Sequence, residues 1–214
     1  MSNSASGETL VELRAASVAG GPLASPATVE AVDWAICARE VWVVGGLPGT
    51  GKSQLLMAAA GLLPLAAGQL VWRGRAFADM TSNERIELRR RIGFVFSDGG
   101  RLFDHLTVAQ NVGLPLTYHR NCGWDAVAED VSRLLDVLGI SALADARPRQ
   151  MTRNHRQRAA LARALALRPE VLFLDNPPRR AGCPRIALAP QLPRLLDGPR
   201  QSLSHPQGGG GGHR

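Results

Sequence analysis

Gly46-Leu47-Pro48-Gly49-Thr50-Gly51-Lys52-Ser53 is the stretch on which the reading of this chain turns. It satisfies G-x-x-x-x-G-K-[ST], follows an apolar run at residues 40–44 that reads as a strand, and opens a helical run over 51–62 that Pro64 closes. The chemistry of phosphate binding needs this layout. Glycines let the backbone curl until successive N–H groups point inward as an anion nest. The helix N-terminus behind them adds unsatisfied donors and the positive end of a dipole. In this reading Gly46 through Gln54 form the binding loop of a nucleoside triphosphate. Lys52 reaches its β- and γ-phosphates and the Ser53 hydroxyl coordinates Mg²⁺. Of the 25 basic residues, Lys52 is the single lysine, kept where the loop requires one.

Residues 171–175, Val-Leu-Phe-Leu-Asp, read as a buried strand ending in an acid. An apolar strand with a terminal Asp is common. Downstream of a phosphate loop, Asp175 is expected at the carboxyl edge of a parallel sheet, where ligands bind, as the second Mg²⁺ ligand.

Composition narrows the alternatives. A chain of 214 residues with 45% apolar content has room for one substantial globular domain and a tail. No run is apolar enough to cross a membrane, and the first residues lack the basic-then-apolar pattern of a signal peptide. Cys37, Cys122 and Cys183 have no metal-ligand spacing, which fits a reducing compartment. The net charge of +7 suggests nucleic acid, but six Arg against one Asp fall in residues 177–214, which also hold seven of the 14 Pro. Without interleaved aromatics or a reader motif, no nucleic-acid partner is expected.

Elsewhere, alternation predicts strands over 9–18 and 29–37, separated by a Gly/Pro/Ser-rich turn at 20–26. A short strand is expected at 69–72 with Gly74 turning it, then a basic helix over 83–91 and a strand over 92–96. From 107 to 167 the pattern is mostly helical. Apolar residues at 127, 131, 134, 135 and 138 mark one helical face, and 157–167 another helix.

Taken in order, these segments resemble the ATPase subunits of ABC transporters over roughly residues 8–177. The carrying pieces are the phosphate loop, Leu63…Gly68-Gln69-Leu70…Gly74, Asp98-Gly99-Gly100-Arg101-Leu102-Phe103-Asp104-His105-Leu106-Thr107-Val108, and the run Arg156-Gln157-Arg158-Ala159-Ala160-Leu161-Ala162-Arg163-Ala164-Leu165. The D-G-G-R-L-F-D-H-L-T-V stretch is most similar to the lipid-transport (Mla, or toluene-tolerance) branch. The resemblance implies an α/β P-loop NTPase with a parallel-sheet core, an antiparallel β edge and a helical subdomain inserted over about 107–167. It implies ATP and Mg²⁺ as cofactors, a second ATPase subunit, a transmembrane permease subunit, and a cytoplasmic location on the inner face of the membrane.

The chain departs from the family pattern at several positions. Ser97 stands where the family has the Q-loop glutamine, and Met151-Thr152-Arg153-Asn154-His155 where the signature reads Leu-Ser-Gly-Gly-Gln. Thr152 keeps a hydroxyl, whereas Arg153 is either an electrostatic clamp on phosphate or a solvated arginine. Asn176 occupies the general-base position beside the catalytic set of Lys52 and Asp175, and a carboxamide cannot take a proton from water. Trp34 falls on a strand and reads as core, not as an adenine platform. Residues 1–7 are expected to be disordered.

The family's D-loop and switch histidine are missing from residues 178–214, which read as an irregular, disordered or frame-shifted tail that leaves the fold C-terminally incomplete. Advanced by one base, the codons of Pro178-Arg179-Arg180-Ala181-Gly182-Cys183-Pro184 can spell Leu-Gly-Gly-Leu-Asp-Ala-Arg, a D-loop. Two functions follow: an ATP-binding subunit of a transporter, or a nucleotide-binding regulatory module without turnover.

Overall fold

A computed structural model describes residues 7–19, 29–97 and 101–175. The disordered start expected over residues 1–7 falls almost wholly outside these, as do the turn at 20–26, Asp98 to Gly100, Asn176 and the tail over 178–214.

Strands β1 (Thr9–Val18), β2 (Val29–Cys37), β3 (Ala67–Trp72) and β4 (Arg75–Ala76) form an antiparallel sheet in the order β2-β1-β3-β4. Leu13 sits at its centre, opposite Trp34 on one side and Leu70 on the other. Simple alternation would turn either Leu13 or Ala16 to solvent, yet both are buried, because the β1–β2 register shifts between them. Ala15 and Ala31 take positive φ at this bulge. Their amides leave the ladder and donate to side chains instead, Ala15 to Asp33 Oδ1 at 2.7 Å and Ala31 to Ser17 Oγ at 3.1 Å. Gly68 on β3 passes so close to the bulge that a Cβ there would lie 2.3 Å from the Ala15 carbonyl oxygen. β4 was not foreseen. Arg73 and Gly74, both at positive φ, make the two-residue turn that lets it pair.

Strands β5 (Ile92–Val95) and β6 (Val171–Leu174) pair in parallel, Ile92 with Val171 through Val95 with Leu174. Helix α1 (Lys52–Ala59) buries Leu55, Ala58 and Ala59 in a core shared with Leu13, Leu70, Leu88 and Phe173, so both sheets belong to one hydrophobic interior. Helix α2 (Ser82–Arg90) starts at a capping box in which Thr81 and Glu84 exchange hydrogen bonds.

Helices α3 (Val108–Arg120), α4 (Ala128–Val137) and α5 (Arg153–Leu165) follow. On α4 and its flanks Val127, Val131, Leu135 and Leu138 are buried as the periodicity required, while Leu134 of the same expected face is half-buried. α5 begins four residues before the expected 157, because Thr152 caps it by accepting from the His155 amide. α5 lies so close to β5 that a Cβ on Gly93 would meet the Ala164 carbonyl oxygen at 3.0 Å.

The strand expected over residues 40–44 does not form. Val41 and Val43 are 69% and 87% exposed, and the segment has no ladder partner among the described residues. The cause is local. The Glu40 carboxylate accepts from the Cys37 amide at 2.8 Å and from Trp42 Nε1 at 3.0 Å, folding the chain back at the end of β2. Trp42 then meets Trp34 edge-on, with centroids 6.0 Å apart.

Candidate functional site

The phosphate loop lies at the surface between that turn and α1. Gly49 and Gly51 have φ of +83° and +86°, and Gly51 caps α1 in the left-handed conformation. Nothing surrounds a Cβ placed on Gly49, so the demand for glycine there is conformational, not steric. The loop tightens through the Thr50 hydroxyl, which donates to the Leu47 carbonyl at 2.9 Å. α1 has neither a side-chain cap nor an acid in its first turn, so the amides of Lys52, Ser53 and Gln54 are left for an anion.

Lys52 folds over the loop it follows. Its Nζ donates to the carbonyls of Gly46 at 2.9 Å and Leu47 at 2.5 Å, and lies 3.4 Å from Thr50 Oγ1. The ammonium is thus held above the nest by neutral oxygens, which an anion of higher charge can displace. Gly46, Leu47, Pro48, Gly49 and Thr50 are exposed at the rim, while Ser53 and Gln54 are half-buried on α1.

The second element of the site arrives from the far end of the chain. Asp175 follows β6, is buried, and donates its amide to the Val95 carbonyl at 2.9 Å, extending the parallel pairing by one residue. That places Asp175 Oδ1 2.8 Å from Ser53 Oγ. A hydroxyl and a carboxylate are hard oxygen donors suited to Mg²⁺. Among the described residues no cluster of three or more His, Cys, Asp or Glu is able to hold a metal. The pair therefore fits a cation that takes its remaining ligands from phosphate and water, as Mg²⁺ does. The residues present fit both groups: nest, helix end and Lys52 for a triphosphate, Ser53 and Asp175 for its metal.

Other positions singled out in the sequence fall elsewhere. Trp34 is half-buried on β2 against the core and Trp42. Ser97 follows β5, and its carbonyl accepts from Arg153 Nη2 at 3.3 Å and Gln157 Nε2 at 3.4 Å. Arg153 is exposed, as the solvated alternative expects, and its guanidinium also reaches back to this carbonyl of its own chain. No sequence signal announced that contact, since it depends on where β5 ends relative to α5. Asn111 was also missed. Fully buried on α3, it accepts from the Phe103 amide at 2.7 Å and donates to the Phe103 and Thr107 carbonyls at 3.0 and 2.9 Å, fixing the turn that leads into the helix.

No helix among the described residues is long and apolar enough to cross a membrane. The family model for ABC transporters matches residues 29–179. The chain is 38% identical over 142 residues to the thiamine import ATP-binding protein ThiQ of Ruegeria sp., covering 66% of this chain and 58% of that protein. It is 38% identical over 168 residues to the Fe(3+) ions import ATP-binding protein FbpC of Streptomyces avermitilis, covering 78% of this chain and 46% of that one. The chain thus spans about half the length of the curated relatives it matches. Its fold resembles the ADP- and Pi-bound dimer of the ATP-binding cassette MJ0796, with TM-score 0.74, 24% identity and coverage of 87% and 81%. It also resembles cbiO1 from Clostridium perfringens, with TM-score 0.65, 24% identity and coverage of 88% and 72%. With the family model matching residues 29–179, most of its length, the chain belongs to the ABC transporter family.

Proposed function

We propose that this chain binds Mg·ATP between Lys52, Ser53 and Asp175 and serves as the ATP-binding subunit of an ABC transporter. In that role it pairs with a second ATPase subunit and docks on a transmembrane permease subunit at the inner face of the cytoplasmic membrane. The observation that carries the reading is the 2.8 Å approach of Ser53 Oγ to Asp175 Oδ1 beside an uncapped α1 and a lysine held over the loop. Residues about 107–167 act as a helical subdomain in this reading, and the permease meets a groove of about 510 Å³ between β5, α3 and α5. Phe94, Phe103, Leu114 and Tyr118 line it, Tyr118 at 75% exposure, which suits the apolar face of a partner helix.

Two relatives are named for import of thiamine and Fe(3+). The finer assignment, to the lipid-transport branch, is supported by the stretch from Asp98 to Val108. Calorimetry with Mg·ATP tests the central claim. Lys52→Ala removes the one ammonium aimed at the phosphates and should weaken binding at least tenfold, as losing a charge-assisted contact does. Equal affinity in wild type and Lys52→Ala would refute it.

A further inference from the structure

Four hydrogen bonds and a short stretch of backbone link the phosphate site to the start of α5. Ser53 Oγ donates to Asp175 Oδ1 at 2.8 Å, and the Asp175 amide donates to the Val95 carbonyl at 2.9 Å. Two residues further on, the Ser97 carbonyl accepts from Arg153 at 3.3 Å and Gln157 at 3.4 Å. Arg153 and Gln157 are four apart on α5, so they share one face and converge on a single oxygen. Gln157 is buried and Arg153 is exposed, so the carbonyl is gripped from an interior and a surface side at once. Because both donors act on a backbone oxygen, the contact does not depend on the identity of the side chain at 97.

We infer that Arg153 is a positioning residue. By holding the Ser97 carbonyl against the N-terminus of α5, it makes the helix end follow the position of β5 and hence of Asp175. The inference rests on the proposed ATP site for its input, but the grip itself is present without ligand. Two consequences follow. The guanidinium reaches a carbonyl of its own chain, a contact that competes with any role toward a phosphate held by another subunit. A change at Asp175, such as metal engaging its carboxylate, is transmitted to α5 through the Val95–Ser97 segment, and Arg153 carries the last step.

The test is hydrogen–deuterium exchange on the full chain, with and without Mg·ATP, for wild type, Arg153→Met and Arg153→Lys. Methionine keeps an unbranched stem and removes the donor; lysine restores a donor on a similar stem. Without nucleotide, Arg153→Met should speed exchange at amides 95–97 and 153–157 by about fivefold, the effect of one net hydrogen bond, and Arg153→Lys should recover most of it. With Mg·ATP, wild type should show altered exchange at 153–157, and Arg153→Met should lose that response while calorimetric ATP affinity stays within about twofold. Unchanged exchange in nucleotide-free Arg153→Met, or failure of lysine to rescue, overturns the inference whatever the fate of the ATP site. A nucleotide response that persists in Arg153→Met overturns the coupling. Absence of ATP binding in wild type appears in the calorimetry instead; it overturns the phosphate-site reading and, with it, the coupling.

Discussion

Ser53 Oγ and Asp175 Oδ1, separated by 122 positions in sequence, lie 2.8 Å apart, and two otherwise independent elements bring them there. The N-terminus of α1 presents the hydroxyl, while the pairing of β6 on β5, continued through the Asp175 amide to Val95, sets the height of the carboxylate. Neither residue alone binds an ion well. Together they offer two of the oxygens that a phosphate-bound Mg²⁺ lacks.

If they act as one metal site, Ser53→Ala and Asp175→Asn should each lower ATP affinity in Mg²⁺ on the order of tenfold or more, and the double variant should fall short of the summed effect. In EDTA the ranking changes. Asp175→Asn removes a carboxylate from beside the phosphates and should bind ATP as well as wild type or better. Titrations with and without the metal check both expectations; equal losses in the two conditions would mean the pair is structural.

Hydrolysis is expected to be near background. Asn176 has no proton-accepting group, and a missing general base commonly forfeits about 10²–10⁴-fold. Asn176→Glu is not expected to restore turnover alone, because on the resemblance drawn from the sequence Ser97 replaces a second catalytic side chain, the Q-loop glutamine. Steady-state phosphate release from purified protein measures this, and robust turnover by the wild-type chain contradicts it.

The family match ends at residue 179, one residue past Pro178. We expect the coding DNA across codons 170–214, translated one base ahead, to give Leu-Gly-Gly-Leu-Asp-Ala-Arg and then an amphipathic helix and an apolar strand. Early stop codons in that frame would show that the present residues are the intended ones.

The phosphate loop, the terminal Asp and most elements were legible in the sequence because they depend on local rules. Glycine and lysine spacing makes the loop, and a period near 3.6 makes the buried face of α4. Where side chains compete for the backbone, local rules fail. Residues 40–44 have the composition of a strand, yet one carboxylate, Glu40, accepts from the Cys37 amide and the Trp42 indole, and the segment joins no ladder among the described residues. The bulge at Ala15 likewise depends on Asp33, which alternation assigns to no role. The contact of Arg153 with the Ser97 carbonyl joins positions 56 residues apart.

Glu84 should make the entry to α2 sensitive to acid. It accepts from the Thr81 amide, from Arg75 and from the Thr81 hydroxyl, in that order of effect, and these hold its carboxyl at about 2 instead of the ordinary 4.5. A depressed carboxylate stabilises the fold fully above its unfolded value and loses that contribution as pH falls. Stability should therefore decline between pH 4.5 and about 2. Glu84→Gln, which keeps the reach of the capping box without the charge, should show a flatter profile there. Urea midpoints across that range decide it, and parallel profiles for the two proteins would remove Glu84 from the account.

Asn111 gives the sharpest packing prediction. Its amide sits fully buried and serves Phe103 through both N–H and C=O as well as the Thr107 carbonyl, reinforcing the backbone bond from the Leu106 amide to the Phe103 carbonyl in the turn before α3. Asn111→Leu fits the volume but takes the acceptor from the Phe103 amide, which costs about 1 kcal/mol, the net worth of one hydrogen bond, beyond any packing change. Asn111→Asp keeps the acceptor, loses the two donors and places a charge in a dry site, and should be worse still. Both should move the denaturation midpoint while leaving Mg·ATP affinity of the folded protein near wild type, because the phosphate loop and Asp175 belong to other elements. Thermal unfolding with parallel calorimetry separates the two effects. A leucine variant as stable as wild type would show that the turn satisfies its amides without this side chain.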